Sequence, residues 1–487
     1  MATKKDLVEA YSFSRRRLVT AFVSGAPGGR EVEPARPGRA IAGGVALAVL
    51  VVVGAVVVGL IKQPAAPVWD QVQLVSTKER GDDYVVVPGA DGALELRPVT
   101  NITSAMLLFG SGVSPTFVTA ENIADSGLRQ GGLIGILDAP AVPPAASALV
   151  ESGWSACTGD GLGIAVGLGD DAAARGVVPR PTTGVVVRTP GGRYYLIAEA
   201  IAPGSDRPTP RATAYEVPDT DVIDRVLQTV ANVSRDDALE VPERFVGLFP
   251  AGPSLSLESF GITRDRLGTP VDQPGADRRV RVGQLYDSPS GPFLVADTGV
   301  YLLTPFAAQL WNALPAAGRP ATRTEQAPAL DAPDRADLGV AAWPTEVPTA
   351  SADTEICAVL DAVPGAQPGV RLGGTTTGTP AAAAPDLAAD AVVRTIAPGA
   401  GAYVLRGDWD ATGQSVDTLV DDRGFAYQVL GTAERAQLGY GDVPLPVVPD
   451  SWLDLFTTGV PLSIEAARCP PTTGAATAAT TAGSSTC

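Results

Sequence analysis

Histidine is absent from all 487 residues. Its absence excludes Ser–His–Asp and Cys–His nucleophile systems, histidine-ligated metals and histidine pH switches. Lysine is almost as scarce: the 36 basic residues include only Lys4, Lys5, Lys62 and Lys78, and the rest are arginine. No lysine beyond Lys78 is present to clamp a phosphate or form a Schiff base, and no G-x-x-x-x-G-K-[ST] stretch occurs. The four cysteines, Cys157, Cys357, Cys469 and Cys487, form no C-x-x-C pair, which argues against structural zinc and thioredoxin-type chemistry. The formal charge of −17 is a poor match for nucleic acid and serves solubility. Carboxylates are abundant, yet none stands out by spacing. No catalytic, cofactor-binding or metal-ligating residue is expected, and no cofactor.

What the chain does have is one long apolar run, Ala40–Ile61, without charge or proline. As a helix it would measure about 33 Å, enough for a hydrocarbon core of roughly 30 Å. Lipid offers its backbone no other way to satisfy its hydrogen bonds, so helix is forced there. The run is longer than the apolar core of a signal peptide and begins late, and no neat cleavage site follows. A permanent anchor is expected. Lys4, Lys5, Arg15, Arg16, Arg17, Arg30, Arg36 and Arg39 precede the run, whereas Lys62 alone follows closely. The positive-inside rule then keeps the N-terminus in the cytoplasm and sends the larger part outside. The expected location is the cell (inner) membrane, single-pass, with an extracytoplasmic (periplasmic) C-terminal region. Gly43, Gly44, Gly54 and Gly59 form no clean G-x-x-x-G, so helix pairing through them is only weakly indicated.

Ahead of the anchor, Lys5–Val23 interleaves Leu7, Val8, Tyr11, Leu18 and Phe22 with Arg15–Arg17, an amphipathic helix for an anionic leaflet or a cytoplasmic partner. Gly25–Gly38 reads as a linker. After the anchor the chain is long enough for two to four packed units. Asp70–Val75 and Tyr84–Val87 read as strands, and Leu94–Pro98 leads into a helix over Ile102–Phe109. Thr183–Thr189 and Arg193–Ala198 flank Pro190-Gly191-Gly192 as a hairpin. Pro292–Ala296 with Val300–Leu303, and Val416–Val420 with Phe425–Leu430, repeat that pattern. Gly373–Ala389, dense in Thr, Gly, Ala and Pro, reads as a loop or linker.

One internal match stands out. VPERFVGLFPAGPSLSLES from Val241 aligns without gaps to VPDSWLDLFTTGVPLSIEA from Val448, an offset of 207 residues. Proline followed by an acid suits a helix start. Phe245/Trp452, Leu248/Leu455 and Phe249/Phe456 fall on one apolar face. Gly252 and Gly459 are expected to provide a left-handed helix stop. The motif reads as core and cap. A Gly-x-x-Tyr hairpin precedes each copy, at Gly192–Tyr195 and at Gly424–Tyr427, and diverged relatives start near Asp83 and Pro292. About four related units in two halves follow.

Four cysteines outside the membrane allow three pairings. Cys157–Cys357 with Cys469–Cys487 is preferred; free or intermolecular Cys469 and Cys487 remain open. The 200 residues between Cys157 and Cys357 are close to the repeat offset, which would put them in equivalent places in the two halves.

The order of short motifs carries a resemblance. It runs Arg15-Arg16-Arg17-Leu18-Val19, the anchor, Trp69-x-x-Val72-x-Leu74-Val75, Leu96-x-Pro98-Val99-x-Asn101, Ser104-Ala105, Gly135-Ile136-x-x-Ala139-Pro140 and Trp154-x-x-Cys157. Then come Leu294-Val295-x-Asp297-Thr298-Gly299-Val300, Cys357 and Leu438-Gly439-Tyr440. From about residue 10 to 468 the chain resembles EccB, the bitopic component of the ESX (type VII) secretion membrane complex of actinobacteria. The resemblance implies four repeat domains around a central β-rich domain, a disulfide matching Cys157–Cys357, and assembly with EccC-, EccD- and EccE-like subunits. The ATPase activity suggested for that family is not carried over, because no phosphate-binding loop is found and an external domain would meet no ATP.

The expected fold is α+β: a cytoplasmic tail 1–39, a transmembrane helix 40–61, an elongated extracytoplasmic repeat region 70–468 and a disordered tail 469–487. Repeat units are expected near 70–150, 180–260, 280–320 and 410–468. The expected role is a non-enzymatic structural subunit of the secretion complex that self-associates through its external domain. The alternative is a membrane-anchored cell-wall (peptidoglycan or glycan) binding module, with Tyr194, Tyr195 and Tyr427 as platforms. A carboxylate-only hydrolase is the third reading, without a cluster to support it.

Overall fold

The computed structural model describes residues 3–471, apart from 25–36, 62–67, 151, 170–176, 202–209, 219–222, 273–276, 278, 316, 325–327, 329–338, 351–353, 376–386 and 411–414. The chain divides into two compact units, Met1–Pro67 and Val68–Cys487.

The first unit holds α1 (Lys4–Ser24) and α2 (Pro37–Ile61). Leu7, Tyr11, Leu18 and Phe22 of α1 are exposed, as are its other described side chains. The helix α2 begins at Pro37 and not at Ala40, so Gly38 belongs to it and not to a linker; proline needs no donor in a first turn. The remainder of the expected linker, 25–36, lies outside the described residues. Among the described residues no helix is long and apolar enough to cross a membrane. Although α2 is 25 residues long, its side chains are described without a gap only over 41–57.

The second unit opens with β1 (Gln73–Thr77), β2 (Asp83–Pro88) and β3 (Leu94–Pro98), then α3 (Ile102–Phe109), β4 (Thr116–Val118), α4 (Ala120–Asp125) and β5 (Arg129–Gln130). The meander β1–β2–β3 is antiparallel; β4 returns parallel to β1, and β5 parallel to β3. Strand β1 starts at Gln73, not Asp70, because its ladder begins at Gln73↔Val86 and β4 holds it as far as Thr77. The Asn101 side chain caps α3 by accepting from the Ser104 N–H at 2.8 Å.

Next come β6 (Trp154–Gly159), β7 (Ile164–Leu168) and β8 (Val177–Pro179). A second meander follows, β9 (Thr183–Arg188), β10 (Tyr194–Ile201) and β11 (Pro210–Glu216), then α5 (Ile223–Ala231), β12 (Leu239–Glu240) and α6 (Glu243–Val246). The third is β13 (Leu285–Ser288), β14 (Gly291–Ala296) and β15 (Gly299–Leu302) with α7 (Pro305–Ala313). After β16 (Thr349–Ala350) come β17 (Glu355–Asp361), β18 (Gly369–Thr375) and β19 (Val392–Ile396). The last meander is β20 (Ala402–Gly407), β21 (Val416–Val420) and β22 (Phe425–Gln428), followed by α8 (Thr432–Gln437), β23 (Val447–Pro449), α9 (Asp450–Leu453), β24 (Thr457–Thr458) and α10 (Ile464–Arg468).

The same path recurs four times: meander, helix, then a return parallel to the first strand. The return is β4 on β1, β12 on β9, Arg323 beside Tyr286 of β13, and β23 on β20. The three expected hairpins all form. Between the meanders lies a six-stranded sheet in the order β19-β7-β6-β17-β18-β8, drawn from both halves of the chain. The expected loop Gly373–Ala389 is corrected at its start: Gly373, Gly374 and Thr375 belong to β18 and pair with β8, where the ladder satisfies their backbone. Residues 376–386 lie outside the described set.

Packing couples the meanders in pairs. Helices α5 and α7 lie against each other and bury Val226, Leu227, Phe306 and Leu310, joining the second meander to the third. Helix α3 packs on α8 and α10, with Leu107, Leu438 and Ala467 buried between the first meander and the last.

Candidate functional site

At the centre, Cys157 of β6 and Cys357 of β17 face each other in an antiparallel ladder and are joined by a disulfide of 2.05 Å. Each lies on the first strand of its own hairpin, opposite Ala165 in one and Gly373 in the other. Both sulfurs are buried beside Val177. A Cβ at Gly373 would stand 3.1 Å from Val359 Cγ2 and 3.6 Å from Cys357 Cβ, so glycine leaves room for the bridge. The bond closes a chain separation of 200 residues that contains the whole second and third meanders. Cys469 is also disulfide-bonded, so a free thiol there is ruled out; Cys487 lies outside the described residues.

The two matched motifs meet against one face of this sheet. Val241, Phe245, Leu248 and Phe249 share a core with Val448, Trp452, Leu455 and Phe456. The Trp452 indole N–H donates to the Leu248 carbonyl at 3.0 Å, across 204 residues. The corresponding carbonyl of the other copy, Leu455, accepts from Arg394 Nε at 2.6 Å. Trp154 sets its ring edge-on to Phe456, with centroids 5.8 Å apart. Pro242 and Pro449 take the N-cap positions of α6 and α9, one residue before the helical turn expected for them.

The expected helix-stop role of Gly252 and Gly459 is corrected. Neither has a positive φ. A Cβ at Gly252 would lie 2.4 Å from the Tyr215 ring, and one at Gly459 would lie 2.3 Å from the Tyr427 ring. Each glycine is a floor on which a buried tyrosine lies flat. The surrounding backbone matches as well: Gly252 N–H donates to Ala214 O at 2.9 Å and Gly459 N–H to Ala426 O at 2.8 Å. Two residues after each tyrosine's neighbour the chains pair again, Leu255 N–H to Glu216 O and Leu462 N–H to Gln428 O.

This equivalence also corrects the hairpin correspondence. The partner of Tyr427 is Tyr215 on β11, the third strand of its meander, and not Tyr195 on the second. The signal was present as Ala214-Tyr215-Glu216-Val217 against Ala426-Tyr427-Gln428-Val429. Its offset is 212 residues against 207 for the motif, because the first copy carries five more residues between the tyrosine and the motif. Tyr427 is fully buried and Tyr195 nearly so, and Tyr194 packs partly buried on the core. As platforms for glycan, Tyr195 and Tyr427 are therefore overturned: their rings are inside.

Asp421 is the most satisfied carboxylate of the last unit. It accepts from the Arg423 and Phe425 N–H groups at 3.1 and 3.0 Å, from Arg423 Nε at 2.9 Å and from Tyr427 OH at 3.1 Å. The cluster locks the β21–β22 turn over the Tyr427–Gly459 contact. Burial pushes the Tyr427 hydroxyl, like that of Tyr215, far above its usual value. Among the described residues no group of His, Cys, Asp and Glu is arranged to hold a metal ion. A mixed cleft of about 370 Å³ opens between Ser256, Glu258, Arg264, Leu314 and Pro315. The centre as built holds geometry between distant parts of the chain through one covalent and several buried polar links.

Comparison with known proteins gives a consistent picture. The family model described as "Type VII secretion system ESX-1, transport TM domain B" (EccB) matches residues 1–473. The chain is similar to the ESX-1 secretion system ATPase EccB1 of Mycolicibacterium smegmatis, 33% identical over 119 residues, which is 24% of this chain and 23% of that protein. It is also similar to the ESX-3 secretion system ATPase EccB3 of Mycobacterium tuberculosis, 27% identical over 215 residues, 38% of this chain and 37% of that protein. The matches thus span about a quarter and somewhat over a third of those relatives. Among solved structures, a chain of an intact ESX-5 inner membrane complex superposes with a TM-score of 0.55 at 22% identity, covering 96% of this chain and 95% of that one. The EccB3 dimer from the ESX-3 core complex gives 0.56 at 21% identity, covering 82% and 100%. These likenesses are of fold, a mixed α+β architecture.

Proposed function

This chain belongs to the EccB family of type VII secretion transmembrane proteins, and from that membership we propose that it is a structural subunit of an ESX inner membrane complex. The observation that carries the reading is the family match from residue 1 to 473, which takes in both the apolar helix and the folded body. In this reading 1–39 is a cytoplasmic tail, α2 crosses the membrane once, and the body from 70 to 468 stands on the periplasmic side. The excess of arginine and lysine before α2 supports that orientation.

The four meander–helix–return paths are read as four copies of one α+β unit around the six-stranded sheet. The disulfide and the Trp452–Leu248 bond support this reading, since they fix the two halves relative to each other. A rigid body of this kind suits an assembly part. Its partners are EccC-, EccD- and EccE-like subunits and further copies of itself.

The curated relatives carry the word ATPase in their names. The body here is read as non-catalytic, because the chain lacks a phosphate-binding loop and has no lysine beyond Lys78. The wall-binding alternative loses its support with the burial of Tyr195 and Tyr427.

Affinity capture of the full chain from native membranes in mild detergent, followed by mass spectrometry, tests the reading. A large assembly containing the motor ATPase is expected. Recovery as a lone monomer overturns it.

A further inference from the structure

We propose that the folded body closes as one interlocked piece: two straps, each passed from one half of the chain to the other, leave neither half able to reach its final form alone. The inference stands on strand pairing within the body and holds whatever assembly the body joins.

The first half comprises the first two meanders with β6, β7 and β8; the second comprises the last two with β17, β18 and β19. The segment that leads from the first meander into β6 does not stay with its own half. Leu149 bridges Gly401 in parallel, and the Val150 N–H donates to the Gly401 carbonyl at 2.8 Å, just ahead of β20 in the last meander. The segment that leads from the third meander into β17 makes the reverse crossing. As β16 it pairs in parallel with β9, Ala350 on Gly184, and the Thr349 N–H donates to the Thr182 carbonyl at 2.9 Å.

The two landings are equivalent. Gly184 and Gly401 each lie four residues before the residue, Arg188 or Leu405, that meets the returning strand at Glu240 or Val447. Each strap brings a proline onto its glycine: a Cβ at Gly184 would stand 2.8 Å from Pro348 Cβ, and one at Gly401 would stand 2.6 Å from Pro144 Cγ. Each strap also hangs on a buried tyrosine of the other half. Tyr215 OH donates to the Ala342 carbonyl at 2.7 Å, and Tyr440 OH donates to the Pro144 carbonyl at 2.6 Å across 296 residues.

The landing on β9 is strained. Thr182 sits at a φ of 64°, a left-handed setting that a β-branched residue rarely adopts. Gly399 fills the equivalent place, two residues before Gly401, at a φ of 76°. Strain of this kind persists only where the surroundings over-determine the backbone. Thr183 Oγ1, donating to the Arg180 carbonyl at 2.6 Å, and the strap's own bond to the Thr182 carbonyl are those surroundings.

The same exchange runs through the rest of the body. Strand β8 lies on β18 and β19 lies on β7, each beside a strand of the other half. Helix α3 packs on α8 and α10, and α5 packs on α7, again across the halves. A half by itself would leave these strand edges and apolar helix faces in water. Contacts this far apart in sequence form late, so the first meander waits for the last before the body closes.

Native-state amide exchange on the full chain, parent against strap variants, tests this. Gly184→Ala pushes on Pro348 and loosens the strap on β9. Val150→Pro removes the donor to Gly401. Either variant should speed the slowest amides by one common factor, on the order of tenfold, in β9–β11 and in β20–β22 alike. A rise confined to the meander on which the altered strap lands overturns the proposal, and so does no rise in either. Should both variants fail to fold, Thr182→Gly remains, since it relieves the left-handed turn without crowding. It should slow exchange by the same factor in both meanders; a change confined to β9–β11, or none, overturns the interlock.

Discussion

Gly459 lies flat against the ring of Tyr427, so close that a methyl group on its Cα would fall 2.3 Å from the aromatic carbon Cδ1. Gly252 and Tyr215 repeat the contact in the other copy of the motif. Both rings are fully buried, and each is pinned by its hydroxyl, Tyr427 on Asp421 and Tyr215 on the Ala342 carbonyl. Neither ring has room to swing away.

Gly459→Ala is therefore expected to destabilise the body by about 1–3 kcal/mol, the usual cost of an extra carbon in a filled core. Gly252→Ala should behave alike. Gly112→Ala is the control, since a Cβ there meets nothing within 4 Å; its effect should stay within about 0.5 kcal/mol. Denaturant midpoints of the three variants check this. Equal midpoints for Gly459→Ala and Gly112→Ala would show that the tyrosine cup is not tight.

Trp452→Phe removes the indole N–H that reaches Leu248 O and leaves the aromatic volume largely in place. Phenylalanine already occupies the same position in the first copy, at Phe245. The expected loss is about 1–3 kcal/mol, the cost of a buried carbonyl without its donor. Amide exchange should rise at the Leu248 turn together with the lower midpoint. An unchanged exchange rate there would remove the cross-copy link.

The disulfide closes 200 residues. Cys157→Ala with Cys357→Ala is expected to cost about 2–5 kcal/mol, through greater freedom of the unfolded chain. The comparison is oxidised parent against the double variant in denaturant. A midpoint shift close to zero would mean that the central sheet holds the halves together without the bond.

Tyr215, Tyr301, Tyr403, Tyr427 and Tyr440 all have hydroxyls pushed upward, chiefly by burial. A folded value raised above the unfolded one means that the native state favours the protonated form. This stabilisation is fully present below about pH 10, where unfolded tyrosine is still protonated, and is lost as pH climbs beyond it. Ultraviolet titration of the full chain should show these five tyrosines ionising only with cooperative unfolding at strongly alkaline pH. A single smooth titration near pH 10 with the fold intact would contradict the burial.

Much of the local structure was legible before any coordinates. Helix α3 was bounded correctly because Asn101 caps it and an apolar stretch follows. The Pro190–Gly192 turn announced its hairpin through glycine at positive φ, observed at Gly192. The Val241 and Val448 motifs declared a core face by their spacing, and all the expected aromatic and leucine positions are buried. The glycine in those motifs was misread. A helix stop and a packing floor both ask for glycine, and only the ring lying on it tells them apart. Arg394 and Tyr215 carry no such local signal, since their partners Leu455 and Ala342 lie on distant segments whose pairing is not written nearby.

The sequence by itself determined the α+β class, the apolar helix, the three hairpins and the presence of a motif used twice, because turn chemistry and apolar period act between neighbours along the chain. Only the tertiary structure decided that Cys157 faces Cys357, that Trp452 reaches Leu248, and that the outer meanders pair through α3 while the inner ones pair through α5 and α7. A strand or an apolar helix face carries the same local signal whichever neighbour covers it; the choice is made by shape and hydrogen bonding between segments hundreds of residues apart.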